Sequence, residues 1–207
     1  MSISRSPGPF ISWSILLVLA SLLSGCSAIA QRQAANEYLK ATIVPGVGLG
    51  DLQIRKTTLG EIVNKLGRNY KREVKGGYLP EDCQIIDCPP TQEETKTIVL
   101  HYKAQGFKFF FEQQPNQGLP EDELLLNSIY IECVQKRCPF KGETEQGIRL
   151  GDTRAEVKEV YGQPNRTYTN SWLMSYPSGI SFLVDHPYLE PIKESDLIEG
   201  ITIPDRT

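Results

Sequence analysis

The sequence predicts an α+β fold made of two tandem repeats, each a short capped helix packed on a three-stranded antiparallel meander. Three observations support this prediction. A ten-residue segment occurs twice, apolar residues within it follow helical spacing, and three strand-like segments come after each copy. The repeats cover residues 43–139 and 140–207, and their sheets can join into one larger sheet.

The repeated segment comprises residues 58–67 and 153–162. Each copy begins with Thr-x-x-Glu, in which the hydroxyl of Thr58 or Thr153 and the following glutamate satisfy free amide groups at a helix start. Apolar residues follow at spacings of three and four, and a glycine ends each copy. Helices of about three turns are marginal alone, so each needs a sheet to pack on.

Three predicted strands follow each helix. Turns at residues 104–106 and 177–179 contain glycine and predict antiparallel hairpins. Apolar and polar residues alternate clearly in the second copy, where Ile180, Phe182 and Val184 face one way. The predicted strands are residues 97–103, 107–111 and 124–132 in the first copy, and 171–176, 179–184 and 197–203 in the second.

The first copy carries an insertion at residues 75–94, between its helix and its first strand, and a second loop at 113–123. A loop as long as the first insertion is uncommon without structure of its own, and is usually functional or stapled. This insertion contains Cys83 and Cys88.

Residues 147–164 resemble the recurring motif of the SmpA/OmlA-like lipoproteins, in which a Gly-x-Thr-x-x-Glu-Val segment leads to Gly-x-Pro. The tandem arrangement is similar to that of the β-lactamase inhibitor protein. The first copy matches less well, with Arg68 and Asn69 where the second has Gln163 and Pro164. Neither relative is an enzyme, so the resemblance implies a binding or assembly role.

The amino terminus resembles a bacterial lipoprotein signal. An uncharged run covers residues 6–30 after Arg5, and it contains Leu-Ser-Gly-Cys ending at Cys26. Its apolar part is shorter than the roughly 20 residues that span a membrane. The resemblance implies a cleaved signal peptide at 1–25, acylation of Cys26 and a tether over 26–42. An uncleaved anchor helix is the alternative. Ser27 after the cysteine implies the outer membrane, facing the periplasm, if the source has two membranes.

Charge argues against nucleic-acid binding. The whole chain has a formal net charge of −3, and removing the signal segment takes away one basic residue, Arg5, to give −4. A mildly acidic chain lacks the basic surface that nucleic acids require. The overall charge also predicts no attraction to anionic lipid headgroups, so the acyl chains at Cys26 are expected to hold the protein at the membrane.

Four further cysteines, an even number in an exported chain, predict two disulfides. We favour the local pairs Cys83–Cys88 and Cys133–Cys138. The two clusters are expected near opposite ends of a strand, about 20 Å apart, whereas bonded cysteines need Cα atoms within about 7 Å. Cross-pairing stays open if the insertion folds back. A zinc site with four cysteine ligands is a further alternative, although an oxidising compartment competes for the thiols.

No catalytic arrangement is recognisable, so we expect no enzyme activity, metal or cofactor. His101 is expected in a strand, partly exposed, and His186 in a turn. The glycine-rich run at 46–50 lacks the strand and helix context of a phosphate loop and predicts a flexible entry into the fold. The acidic residues 121–123 are expected to form a solvated loop.

Phe110 indicates a second apolar surface, because strand alternation places it opposite Phe107, Phe109 and Phe111. Either the two sheets join or pack together there, or a partner binds. The resulting hypothesis is a lipid-anchored, non-enzymatic protein of the bacterial cell envelope that binds another envelope protein. The alternatives are an inhibitor-like module that blocks an envelope enzyme, and, less favoured, a hydrolase or metal protein.

Overall fold

A computed structural model of the chain describes residues 33, 35–75, 95–114, 118–165, 172–185 and 191–204. It confirms the α+β class, with short helices and antiparallel sheets. Among the described residues, the helices are α1 (Leu59–Leu66) and α2 (Arg154–Tyr161), with helical residues also at 35–38 and a 3-10 turn at Glu121–Glu123. The strands are β1 (Ile43–Val44), β2 (Gly48–Leu49), β3 (Leu52–Gln53), β4 (Lys71–Lys75), β5 (Lys96–Tyr102), β6 (Phe107–Gln113), β7 (Leu126–Glu132), β8 (Leu173–Tyr176), β9 (Ile180–Val184) and β10 (Ile198–Ile203).

Seven strands form one antiparallel sheet in the order β4-β5-β6-β7-β10-β9-β8. Strands β5–β7 and β8–β10 are the two predicted meanders, and they meet where β7 pairs with β10 and Ile131 lies opposite Ile201. The two halves of the chain therefore share a sheet. Strand β4, which pairs with β5, was not predicted, because its sequence Lys-Arg-Glu-Val-Lys has no strand-like alternation.

Both helices begin with the predicted capping box. Thr58 accepts a hydrogen bond from the Glu61 amide while the Glu61 carboxylate accepts one from the Thr58 amide, and Thr153 and Glu156 repeat this arrangement. Each helix ends at a glycine with positive φ, 81° at Gly67 and 79° at Gly162. The helices have eight residues each, shorter than predicted, because the capping threonine and the terminal glycine lie outside them.

The hydrophobic core lies between the helices and one face of the seven-stranded sheet. Helix α1 contributes Leu59, Ile62 and Leu66, and helix α2 contributes Val157. The largest fully buried side chains on the sheet side belong to alternate strand residues: Ile98, Leu100, Tyr102, Phe107, Phe109, Phe111 and Phe182. This alternation confirms the predicted strand faces. No described helix packs on the opposite face of the sheet.

The glycine-rich run at residues 46–50 belongs to a small three-stranded sheet, β1-β2-β3, so the predicted flexible entry is wrong. A Cβ atom at Gly48 would lie 1.8 Å from the Leu52 carbonyl oxygen. Only glycine allows the two strands to approach so closely. Strands of two residues carry too little alternation to be recognised in a sequence.

The described end of the predicted tether packs on the folded body. Ala35 is buried, and the Leu39 carbonyl accepts hydrogen bonds from the amides of Lys141 and Gly142. Tyr38 donates a hydrogen bond to Asp51, which also binds Lys65 of α1. No helix within the described ranges is long and apolar enough to cross a membrane.

Candidate functional site: the open face of the sheet

The open face is the side of the seven-stranded sheet that points away from the two helices. Strand register places paired residues on the same side, so His101, Lys108 and Tyr130 form a row across β5, β6 and β7. Val99, Phe110 and Ser128 form the next row. Val99 is buried, yet it lies outside the core cluster beneath the helices. The open face therefore has apolar contacts of its own.

A groove of about 420 Å³ runs over the β4–β7 part of this face. This volume falls within the range of about 300–1,000 Å³ that is common for ligand clefts. Apolar and aromatic side chains lie beside charged ones along the groove. Its lining residues are Glu73, Lys75, Val99, His101, Lys103, Lys108, Phe110 and Tyr130.

Glu132 contacts two basic side chains, Lys108 and His101, at one side of the groove. Its carboxylate lies 2.8 Å from Lys108 Nζ and 3.3 Å from His101 Nε2. Lys108 Nζ also lies 5.0 Å from the centroid of the Tyr130 ring, within the range of a cation–π contact. These contacts fix the lysine between a carboxylate and an aromatic face.

His101 is held in its neutral form. Burial lowers the pKa of its imidazole, and the positive charge of Lys108 lowers it further, against the opposing effect of Glu132. The Nε2 atom is buried and has no hydrogen-bond partner among the described residues. His101 lies in strand β5 and is partly exposed, with 14% of its side chain accessible, as predicted.

Tyr130 lies across the junction between the two halves of the sheet. A Cβ atom at Gly200 would come within 2.8 Å of the Tyr130 hydroxyl, so the missing side chain at Gly200 makes room for the ring. Burial, followed by the charges of Glu132 and Glu199, raises the pKa of Tyr130 to about 12. The hydroxyl therefore stays protonated and can donate a hydrogen bond at neutral pH.

The groove offers binding contacts from its aromatic and charged side chains. No serine or cysteine lies among the lining residues beside His101 to act as a nucleophile. Among the described residues, no group of three or more His, Cys, Asp or Glu side chains could hold a metal ion. Tyr and Phe are enriched in protein interfaces whereas Lys and Glu are depleted, so Phe110 and Tyr130 are the interface-like part of this lining.

Cys133 and Cys138 lie at disulfide distance, with Cα atoms 4.1 Å apart, as the predicted local pairing requires. The bond closes a tight turn in which Val134 and Arg137 pair. Cys26, Cys83, Cys88 and His186 lie outside the described residues.

Phe110 lies on the open face, as strand alternation predicted, and is half-buried. The two meanders join through the edges of β7 and β10, and this junction does not cover Phe110. Lys108, Tyr130 and Glu132 form no motif in the sequence that marks them as site residues. Their alternation within the predicted strands would have placed them on the same face, but their proximity to one another depends on the register between strands.

Comparison of the chain with protein-family models, curated proteins and solved structures found no match.

Proposed function

We propose that this chain is a lipid-anchored protein of the bacterial cell envelope, attached through Cys26, that binds a protein partner on its open face and catalyses no reaction. The proposal depends on the difference between the two faces of the seven-stranded sheet. One face is buried beneath helices, while the other presents half-buried aromatic residues among fixed charges. Aromatic residues are enriched in protein interfaces, and Phe110 and Tyr130 are only half-buried here.

The proposal includes a tandem origin for the fold, which is supported by contacts at matching positions. The Tyr102 hydroxyl donates to the Gly67 carbonyl beyond α1, and the Tyr176 hydroxyl donates to the Gly162 carbonyl beyond α2. Isolated bridges also join each capping threonine to the residue just before the last strand of its meander, Thr58 to Leu125 and Thr153 to Leu197. These matching contacts support the proposed tandem origin.

The size of the open face suits a protein partner. Seven strands at about 4.8 Å spacing and about 3.4 Å per residue give a surface of roughly 30 by 20 Å. These dimensions correspond to about 600 Å², somewhat below the roughly 800 Å² that each partner buries in a standard interface. The groove carries both positive and negative side chains. This mixture favours a protein surface with complementary charges of both signs over the uniformly negative backbone of a nucleic acid.

Photo-crosslinking in the native envelope tests the binding site. A benzophenone amino acid at Phe110 should capture a discrete protein, whereas the same group at Asp122, an exposed residue of the 3-10 turn, should not. If the captured protein is an enzyme whose activity the chain abolishes, the inhibitor alternative gains support. Equal labelling from both positions would contradict a site on the open face.

Intact-mass analysis tests the anchor separately. The wild-type protein should carry the mass of a lipid at Cys26, and the Cys26→Ala variant should lack that mass. If the wild-type protein shows no acyl modification at Cys26, the proposed attachment is wrong whatever the open face binds.

A further inference from the structure

One end of the β5–β7 meander, which we name the basic end, collects exposed cations from distant parts of the sequence. It is the end where Tyr102 and Phe107 pair and where β7 finishes at Glu132. No salt bridge involving these cations occurs within the described residues. They are Lys40, Arg68, Lys103, Lys136, Arg137 and Lys141.

Backbone contacts place these residues together. The Glu132 amide donates to the Gly106 carbonyl, which brings the turn after Lys103 beside the Cys133–Cys138 turn. Gly67, next to Arg68, accepts the Tyr102 hydroxyl at the same end. The Lys141 amide donates to the Leu39 carbonyl, so Lys40 and Lys141 lie on adjoining segments.

The opposite end of the meander carries charges of both signs. Thr58 bridges to Leu125 there, just before β7 begins. The adjoining 3-10 turn carries Glu121, Asp122 and Glu123, and Glu121 pairs with Arg72. Lys75 and Lys96 lie at the same end of β4 and β5. Seven residues of β7 separate the two ends by about 20 Å, so these charges lie too far from the basic end to neutralise it.

Few carboxylates neutralise the basic end. Glu132 is occupied by Lys108, and Glu143 by Arg149. Glu37, Asp185 and Glu199 are the other acidic residues close to these segments. The six cations outnumber these three carboxylates, while Asp152 and Asp196 lie further along the same end of the sheet, beside the start of β10.

The Cys133–Cys138 turn presents its cations in a fixed conformation. Gln135 and Lys136 both have positive φ, 50° and 62°, which is uncommon for residues other than glycine. Two backbone hydrogen bonds between Val134 and Arg137 and the disulfide hold this conformation. Backbone conformations of this kind persist where the surrounding structure enforces them, often at functional sites.

We propose that the basic end faces the membrane and contacts anionic lipid headgroups. This inference rests on the proposed attachment at Cys26. The chain from the anchor joins the body at this end, through Ala35 and Leu39. The nine residues between Cys26 and Ala35 reach at most about 32 Å, so the anchor keeps the body near the bilayer without fixing its orientation.

Electrostatics then fixes the orientation. Attraction to anionic headgroups falls off within a Debye length of about 8–10 Å, so only cations that touch the surface contribute. With the basic end down, the strands stand upright on the membrane. The open face is then perpendicular to the bilayer and accessible to a partner in the same membrane.

Lysine footprinting on the acylated, full-length protein tests the orientation. The protein is reconstituted into vesicles of phosphatidylcholine alone or mixed with phosphatidylglycerol, and acetylation rates are read residue by residue by mass spectrometry. Lys136 and Lys141 should react about fivefold more slowly on the anionic vesicles, and high salt should remove the difference. Lys56 and Lys96, exposed at the other end, should react equally on both.

A matched pair of variants tests the role of the turn. The double substitution Lys136→Gln with Arg137→Gln should remove the protection of Lys141, whereas Lys56→Gln should leave it unchanged. If wild-type protein floats with both vesicles yet Lys136 and Lys141 react equally on them, the orientation is refuted and the anchor survives. If the protein fails to float with any vesicles, the anchor itself is refuted. Protection that requires an added protein would also overturn the inference.

Discussion

The Tyr102→Phe substitution tests how the first helix is held on the sheet. Tyr102 is fully buried, and its hydroxyl donates a 2.8 Å hydrogen bond to the carbonyl of Gly67, also buried, just beyond α1. Phenylalanine keeps the ring and its packing but removes the donor. A buried carbonyl without a partner costs about 1–3 kcal/mol. For a chain of this size, a loss of about 2 kcal/mol lowers the melting temperature by about 4–8 °C.

The matched control is Tyr176→Phe in the second half. The Tyr176 hydroxyl lies 3.3 Å from the carbonyl of Gly162, and Gly162 is exposed. Water can therefore replace the lost donor, and we expect a loss below about 1 kcal/mol. Urea unfolding followed by circular dichroism measures both variants. Equal losses in the two variants, or no loss in Tyr102→Phe, would refute the argument from burial.

Three further predictions concern stability. Thr58→Ala and Thr153→Ala should each lower the free energy of unfolding by about 1 kcal/mol, and serine should restore it in urea titrations. Gly106→Ala should cost at least twice the roughly 1 kcal/mol expected for Gly118→Ala, since both have positive φ but only at Gly106 would the new Cβ lie 2.4 Å from the Glu132 carbonyl oxygen. Equal melting temperatures for the two glycine variants would contradict this. Because burial lowers the folded-state pKa of His101, the unfolded chain binds more protons below about pH 6.5. Stability should therefore fall as pH decreases through that value, and His101→Gln should weaken the dependence in melting curves measured from pH 7.5 downward.

Local signals in the sequence predicted the parts of the fold that depend on neighbouring residues. The capping boxes at Thr58 and Thr153 require only a threonine and a glutamate three positions apart, and both formed. The strands β5, β6, β9 and β10 follow from alternation and glycine turns within a few residues. Such features are readable because the contacts that stabilise them join residues close in sequence.

Features that depend on distant pairing could not be read in the same way. Strand β4 is four-fifths charged, and its position is determined by pairing with β5 across the insertion. The groove on the open face requires a register in which Lys108 lies opposite both His101 and Tyr130. A shift of one residue would move each of these side chains to the other face, so alternation alone cannot specify the groove.

The net charge of the whole chain does not show that cations are concentrated at the basic end. A meander returns to the same end of its sheet once every two strands, so residues near 40, 68, 103 and 136–141 meet although tens of residues separate most of them. The net charge of −4 expected after signal cleavage predicted no attraction to anionic lipids, because that value adds the two ends together. Over a Debye length of about 8–10 Å, however, a surface responds only to the charges that face it. A mildly acidic protein can therefore present a cluster of cations to a membrane, provided that most of its carboxylates lie beyond that distance.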